Sequence, residues 1–309
     1  MRITFHFKNS PTDLWLKDLR AALPEADISE WHPGAEQADY AIVWQPPQQL
    51  LDEQGAQLKA IFNLGAGVDA LLKLQWPNHL PLVRIDDGGM AVQMAEYVSH
   101  ALIRHFRELD VYESQQRVAG EWKPHRTKLR SDFPVGVMGL GVLGERVART
   151  VAQFDFPVNG WSRSPKQIDG VQCFHGEAQG FKNFLAATRV LVNLLPLTPD
   201  TANIINSETL SQLQPGAYVI NVARGAHLVE EDLLAQIARG HVAGATLDVF
   251  RTEPLPPEHA FWKHPKITIT PHSSANTMRE ESVAQIARKL MAFDQGEKVA
   301  GLVDMSRGY

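Results

Sequence analysis

A short apolar run, Val135 to Met138, ends in Gly139-Leu-Gly141-Val-Leu-Gly144 and passes straight into a helical pattern with Leu143, Val147, Ala148, Val151 and Ala152 on one face. Strand, glycine turn and helix in that order are what a dinucleotide-binding βαβ unit requires. Gly139 permits the tight turn, Gly141 lets backbone approach a pyrophosphate, and Gly144 lets helix pack on strand. The phosphates then meet N–H groups at the positive end of the helix, so Val142 and Leu143 join the glycines as candidate contacts. A Gly-x-Gly-x-x-Gly motif also occurs in βα turns that bind nothing, and the residues downstream must decide. Its late position leaves a large N-terminal stretch to be something else.

That stretch alternates short apolar runs with helical patterns. Strands are predicted at Ile3–Phe7, Tyr40–Trp44, Ala60–Leu64 and Leu82–Ile85, and helices near Thr12–Ala22, Leu50–Ala56, Val68–Leu74 and Val92–Phe106. Strand and helix in alternation imply a parallel sheet. A polar, basic stretch without periodicity follows, Arg117–Asp132. From Val135 the alternation restarts, with strands predicted at Val135–Met138, Val158–Trp161, Val171–Phe174, Val190–Leu195, Ala217–Val222, Ala243–Val249 and Ile267–Thr270. That pattern fits a doubly wound Rossmann sheet. A last amphipathic segment runs over Arg279–Phe293.

The 309 residues suit two domains. A net charge of −5 argues against a nucleic-acid partner, which calls for a basic excess. Cys173 is the only cysteine, so no intrachain disulfide forms, and a cytoplasmic location is expected. No apolar stretch reaches the ~18 residues of a membrane span. Histidine spacing offers no metal site, and His100, His105 and His125 read as structural or solvated.

Beyond the fingerprint, the chemistry-bearing residues gather at strand ends. The second strand closes on Ser162-Arg163-Ser164, with no acid before Asp169 to receive a ribose 2′-hydroxyl. Arg163, flanked by two serines, suits a 2′-phosphate instead, which predicts NADP(H) as the preferred cofactor with NAD(H) possible. Leu195, Pro196 and Thr201 follow the next strand, and Val222, Ala223 and Arg224 the one after. Asp248 and Glu253 stand in a proline-closed loop, and Thr270-Pro271-His272 follows the last strand. Ligands bind at this carboxyl edge in such sheets. Leu195, Pro196, Thr201, Val222, Ala223 and Asp248 are therefore candidate cofactor contacts.

These stretches, with Val43-Trp44-Gln-Pro-Pro47, Leu64-Gly65-Ala66-Gly67-Val68-Asp69 and the terminal Val303–Tyr309, resemble the D-isomer-specific 2-hydroxyacid dehydrogenases nearly end to end. The resemblance implies a Rossmann-type doubly wound cofactor domain, residues 98–274, inserted into a flavodoxin-like substrate domain, residues 1–97 plus 275–309. It also implies a homodimer. His272 would be the general acid, Glu253 its partner, and Arg224 the cation that binds a 2-keto acid's carboxylate and polarises its carbonyl. Asp248 would meet the nicotinamide carboxamide. The N–H groups of Ala66 and Gly67 would bind substrate carboxylate, and Trp44 would wall the pocket. The implied activity is NADPH-dependent reduction of small 2-keto acids, glyoxylate to glycolate and hydroxypyruvate to D-glycerate.

Two other readings stay open. One is a reductase of bulkier 2-keto acids such as phenylpyruvate, and the other is an NADP(H)-sensing interaction protein. After His272 the chain carries Ser273-Ser274, a hydroxylated departure from the more apolar residues expected there, which leaves substrate preference open.

Overall fold

The computed structural model of the chain describes residues 1–8, 11–176 and 178–308, with Ala119 described by its backbone alone. The chain divides into two compact units, Met1–Met90 with Asn276–Tyr309, and Ala91–Ala275.

In the first unit, strands β1 (Arg2–Phe7), β2 (Asp27–Glu30), β3 (Tyr40–Trp44), β4 (Ala60–Asn63) and β5 (Leu82–Arg84) form a parallel sheet in the order β2-β1-β3-β4-β5. That is the flavodoxin-like order. Helices α1 (Asp13–Ala22) and α2 (Gln48–Gln54) connect its first strands. Side chains of β3 alternate between the two faces. Ala41 and Val43 pack in one cluster with Leu50 and Leu51 of α2, while the Tyr40 ring meets Phe62 and Phe293 edge-on at 6.1 and 6.4 Å.

One sequence expectation changes here. Val68–Leu74 forms only a single 3-10 turn, Leu71–Lys73. Gln75-Trp76-Pro77 follows, and a residue before proline is driven out of helical geometry. The strand β2 carries no apolar alternation, because at the sheet edge only Ile28 turns inward.

The second unit opens with α3 (Met90–Phe106) and α4 (Leu109–Ser114). It continues through β6 (Val135–Met138), α5 (Val142–Ala152), β7 (Val158–Ser162), β8 (Gln172–His175), α6 (Ala178–Ala186), β9 (Val190–Asn193) and α7 (Ser207–Ser211). It closes with β10 (Ala217–Asn221), α8 (Glu230–Ala238), β11 (Val242–Leu247) and β12 (Ile267–Ile269). The strands are parallel in the order β12-β11-β10-β9-β6-β7-β8. The chain winds outward from β6 in both directions, so the order reverses between β6 and β9. That is the topological switch point at which doubly wound sheets take their ligands.

Alternation sorts the core of this unit. Val190 and Val192 join Ala95, Val98 and Leu102 of α3 and Val147, Ala148 and Val151 of α5. Leu191 turns to the other face, toward Phe184, Leu210 and Leu233. Each buried valine, leucine or phenylalanine side chain among them is worth about 1.5–3 kcal/mol. Helix α3 packs on this sheet through Ala95, Val98, Ala101, Leu102 and Phe106, and the first crossing between the units falls at Met90/Ala91. Cys173, partly buried on β8, packs against the same cluster.

The chain returns to the first unit with α9 (Arg279–Asp294), whose Arg279 Nε lies 2.7 Å from Asp18 on α1. Lys289 on α9 is buried, and its ammonium reaches the carbonyls of Arg84 and Ala300 at 2.8 and 2.7 Å and Asp86 at 2.9 Å. All three of its N–H donors are thereby met.

Candidate active site

The turn between β6 and α5 is built by its glycines. Gly139 holds φ at +95°, and a Cβ on Gly144 would stand 1.7 Å from the Gly139 carbonyl oxygen, so helix and strand touch through bare backbone. A Cβ on Gly141 would meet nothing within 4 Å, so open space lies over the first turn of α5. Val142 is exposed at that turn and Leu143 half-buried. An open cradle at the N-terminus of an 11-residue helix fits a dinucleotide pyrophosphate.

At the end of β7 the Ser162 hydroxyl donates to the Ser164 carbonyl at 2.8 Å and shapes the turn that exposes Arg163. The guanidinium lies 3.9 Å from Asp200, itself exposed. After β9, Leu195 is buried and Pro196 exposed, and the Thr201 hydroxyl donates to the Pro196 carbonyl at 2.7 Å, closing the loop on itself. Val222 and Ala223 are buried, Val222 within the core cluster, so only their backbone is available to a ligand.

The histidine, glutamate and arginine of the sequence pattern all lie in this second unit. His272 Nδ1 is 2.7 Å from Glu253 Oε2. A carboxylate only accepts, so Nδ1 carries the proton and Nε2 is left for other chemistry. The other Glu253 oxygen accepts the Phe250 N–H at 2.9 Å, which fixes the carboxylate in its own loop. His272 holds φ at +52°, a left-handed conformation that side-chain-bearing residues seldom adopt.

Asp248 keeps His272 there. It is fully buried, and its carboxylate accepts from Thr270 Oγ1 at 2.6 Å and from the N–H groups of Ser273 and Ser274 at 2.8 and 2.9 Å. Its backbone carbonyl accepts the His272 N–H at 2.8 Å. Three of the roughly four acceptor positions of the carboxylate are thus taken within the turn. These bonds hold the His272 turn together. Tyr97 extends the chain, its hydroxyl 2.5 Å from Thr270 Oγ1, and burial pushes that phenol up to about 12.

Arg224 lies just past β10, its guanidinium donating to the Ala223 carbonyl at 2.7 Å. A Cβ on the next residue, Gly225, would stand 1.9 Å from the Phe250 carbonyl carbon. Only glycine lets the arginine loop lie so close to the loop that carries Glu253.

In the first unit, the Asn63 amide donates to the carbonyls of Gly65 and Gly67 at 2.8 and 3.0 Å. Tying those carbonyls inward bends the Gly65–Gly67 loop around its own polar core. Ala66 and Gly67 are half-exposed. The Trp44 ring lies against Gly65, where a Cβ would meet it at 2.1 Å.

Sequence reasoning gave no role to Tyr97, Thr270, Asn63, Asn193, Asn221 or His227. A signal did exist for Asn63, Asn193 and Asn221. Asparagine is depleted in strands, yet β4, β9 and β10 each end on one that is fully buried. Two of the histidines without context, His105 and His125, have structural partners. The His105 ring stacks on Tyr218 with centroids 3.9 Å apart, and burial pulls it down to about 4. His125 Nδ1 contacts Glu108 at 2.8 Å. Among the described residues no group of three or more His, Cys, Asp or Glu is placed to hold a metal ion.

Residues 99–274 match the family model described as D-isomer specific 2-hydroxyacid dehydrogenase, NAD binding domain. The chain belongs to the D-isomer specific 2-hydroxyacid dehydrogenases and is an NAD(P)-dependent oxidoreductase. It is 47% identical over 316 aligned residues to the glyoxylate/hydroxypyruvate reductase A of Serratia proteamaculans (strain 568), covering 100% of both chains. The protein of that name from Yersinia enterocolitica serotype O:8 / biotype 1B is equally similar, at 47% over 100% of both chains. Among solved structures, a D-isomer specific 2-hydroxyacid dehydrogenase from Xanthobacter autotrophicus Py2 in complex with NADPH and MES superposes with a TM-score of 0.93 at 37% identity, covering 100% of this chain and 99% of that one. An NADPH-dependent glyoxylate/hydroxypyruvate reductase from Sinorhizobium meliloti in complex with NADP and sulfate gives 0.91 at 34%, with the same coverage.

Proposed function

We propose that this chain reduces small 2-keto acids with NADPH, glyoxylate to glycolate and hydroxypyruvate to D-glycerate. The observation that carries the reading is the His272–Glu253 pair, 2.7 Å apart, on a sheet edge that also carries Arg224 and the open glycine turn. The names of the two curated relatives and the NADP(H) complexes of the two solved structures support it.

Reduction of a ketone adds hydride to carbon and a proton to oxygen, and negative charge grows on that oxygen. Bound nicotinamide supplies the hydride. His272 donates the proton from Nε2, because Glu253 occupies Nδ1 and fixes the ring's orientation. Arg224 offers its planar donor fork to the keto acid, gripping the carboxylate and stabilising the developing oxyanion. In the first unit the N–H groups of Ala66 and Gly67 offer a turn suited to a carboxylate, and Trp44 packs on Gly65. Gly139, Gly141, Val142, Leu143 and Gly144 receive the pyrophosphate, Ser162, Arg163 and Ser164 the 2′-phosphate, and the backbones at Leu195, Pro196, Thr201, Val222 and Ala223 line the strand ends. Asp248 serves by holding the His272 turn.

The protein works as a homodimer in the cytoplasm. Val118, Trp122 and Leu129 are 84%, 100% and 65% exposed, large apolar side chains that suit burial against a second copy. Among the described residues no helix is long and apolar enough to cross a membrane.

The test is oxidation of NADPH and NADH, followed by absorbance, with glyoxylate, hydroxypyruvate, pyruvate and phenylpyruvate. Turnover of the two small acids with NADPH is expected, and His272→Asn lowers kcat about 10²–10⁴-fold. Turnover of phenylpyruvate above all would move the assignment to bulkier keto acids. Tight NADPH binding with no turnover of any acid would favour a sensor.

A further inference from the structure

Strands β9 and β10 end side by side on Asn193 and Asn221, which are register partners and both fully buried. Their amide orientations are dictated by backbone. The Leu195 N–H donates to Asn193 Oδ1 at 3.2 Å, so Asn193 Nδ2 faces its neighbour and donates to Asn221 Oδ1 at 3.0 Å. The Ala223 N–H reaches the same Asn221 oxygen at 3.3 Å, so Asn221 Nδ2 turns outward and donates to the carbonyl of Arg224 at 3.0 Å.

That carbonyl is held again from the other side. The His227 N–H lies 3.3 Å from it and His227 Nδ1 3.1 Å, while His227 Nε2 stands 3.2 Å from the Pro196 carbonyl, and a neutral ring donates to one of these two carbonyls. Buried polar atoms are costly unless paired, and fully paired ones make a rigid unit. Two amides thus run as a relay from the loop after β9 to the backbone of the arginine after β10.

We infer that Asn193 and Asn221 are positioning residues for Arg224: they set the backbone from which its guanidinium meets the keto acid. The inference rests on the role proposed for Arg224. A relay of this kind acts on aim rather than on charge. Misplacement of a binding group by an ångström costs about 10²-fold in rate.

Asn221→Asp isolates the last link. A carboxylate still accepts from Asn193 and from the Ala223 N–H but cannot donate to the Arg224 carbonyl. The expected result is a fall in kcat/KM for glyoxylate of about ten- to a hundredfold, with the NADPH dissociation constant, read by nucleotide fluorescence, within about threefold of the parent. Asn193→Asp sets oxygen against oxygen one step earlier and shifts kcat/KM in the same direction. An unchanged kcat/KM, or an equal loss of NADPH affinity, overturns the inference. If Asn221→Asp fails to fold by circular dichroism, Asn221→Ser replaces it, with the same outcomes. Arg224→Lys separates the two readings. Full activity in that variant removes the role of Arg224 itself. An inactive Arg224→Lys beside a fully active Asn221→Asp removes only the relay.

Discussion

A histidine at φ +52° pays about 1–2 kcal/mol for a left-handed backbone, and the neighbouring contacts must make it good. They come from Asp248, whose carboxylate and carbonyl together take Thr270, His272, Ser273 and Ser274. The serines after His272 thus contribute backbone N–H groups to the turn, and any residue but proline serves that purpose. The Ser273-Ser274 departure therefore leaves the turn itself undisturbed. Arg163 is the opposite kind of residue, exposed and legible from its neighbours alone. Arg163→Ala is expected to cut the ratio of kcat/KM for NADPH over NADH by about 10–100-fold, the worth of charge-assisted hydrogen bonds to a phosphate. Initial rates with both nucleotides check this, and an unchanged ratio would remove Arg163 from 2′-phosphate recognition.

Among the elements, β6, its glycine turn and α5 were readable because every level agrees: apolar run, glycine spacing and helical stripe. The second and third glycines of the motif differ physically, and that difference is testable. Gly144→Ala puts a methyl 1.7 Å from a backbone oxygen and should destabilise the fold by about 1–3 kcal/mol, seen as a lower Tm. Gly141→Ala adds a methyl to open space and should leave Tm unchanged while weakening NADPH binding. Equal Tm losses in both variants would contradict the cradle. Elements with little apolar content were harder to read. β2 buries one side chain, and Val68–Leu74, which reads as a helix, is cut short before Pro77. In both, local composition says little because neighbouring strands or a downstream proline decide the outcome.

For the whole molecule, two sheets of different strand order lie on one chain, one unit made of its two ends and the other of its middle. Trp122, fully exposed in a stretch without periodicity, belongs to this scale too, since a tryptophan left in water calls for a partner surface. Analytical ultracentrifugation should find a dimer, and Trp122→Glu should weaken its association by about tenfold or more. A monomer at micromolar concentration in the parent protein would overturn the homodimer.

The dinucleotide turn, the order of the strands along the chain, and the candidacy of Arg224, Glu253 and His272 are legible in the residues alone, because each rests on short-range spacing and on residue types whose chemistry is nearly unique. Only the tertiary structure decided where the first unit ends, that Asp248 turns its carboxylate into the His272 turn, and that Asn193 and Asn221 join across two strands to reach Arg224. The Asp248–Ser273 and Asn193–Asn221 bonds join residues 25 and 28 positions apart, and such bonds exist only after the parallel strands are laid side by side.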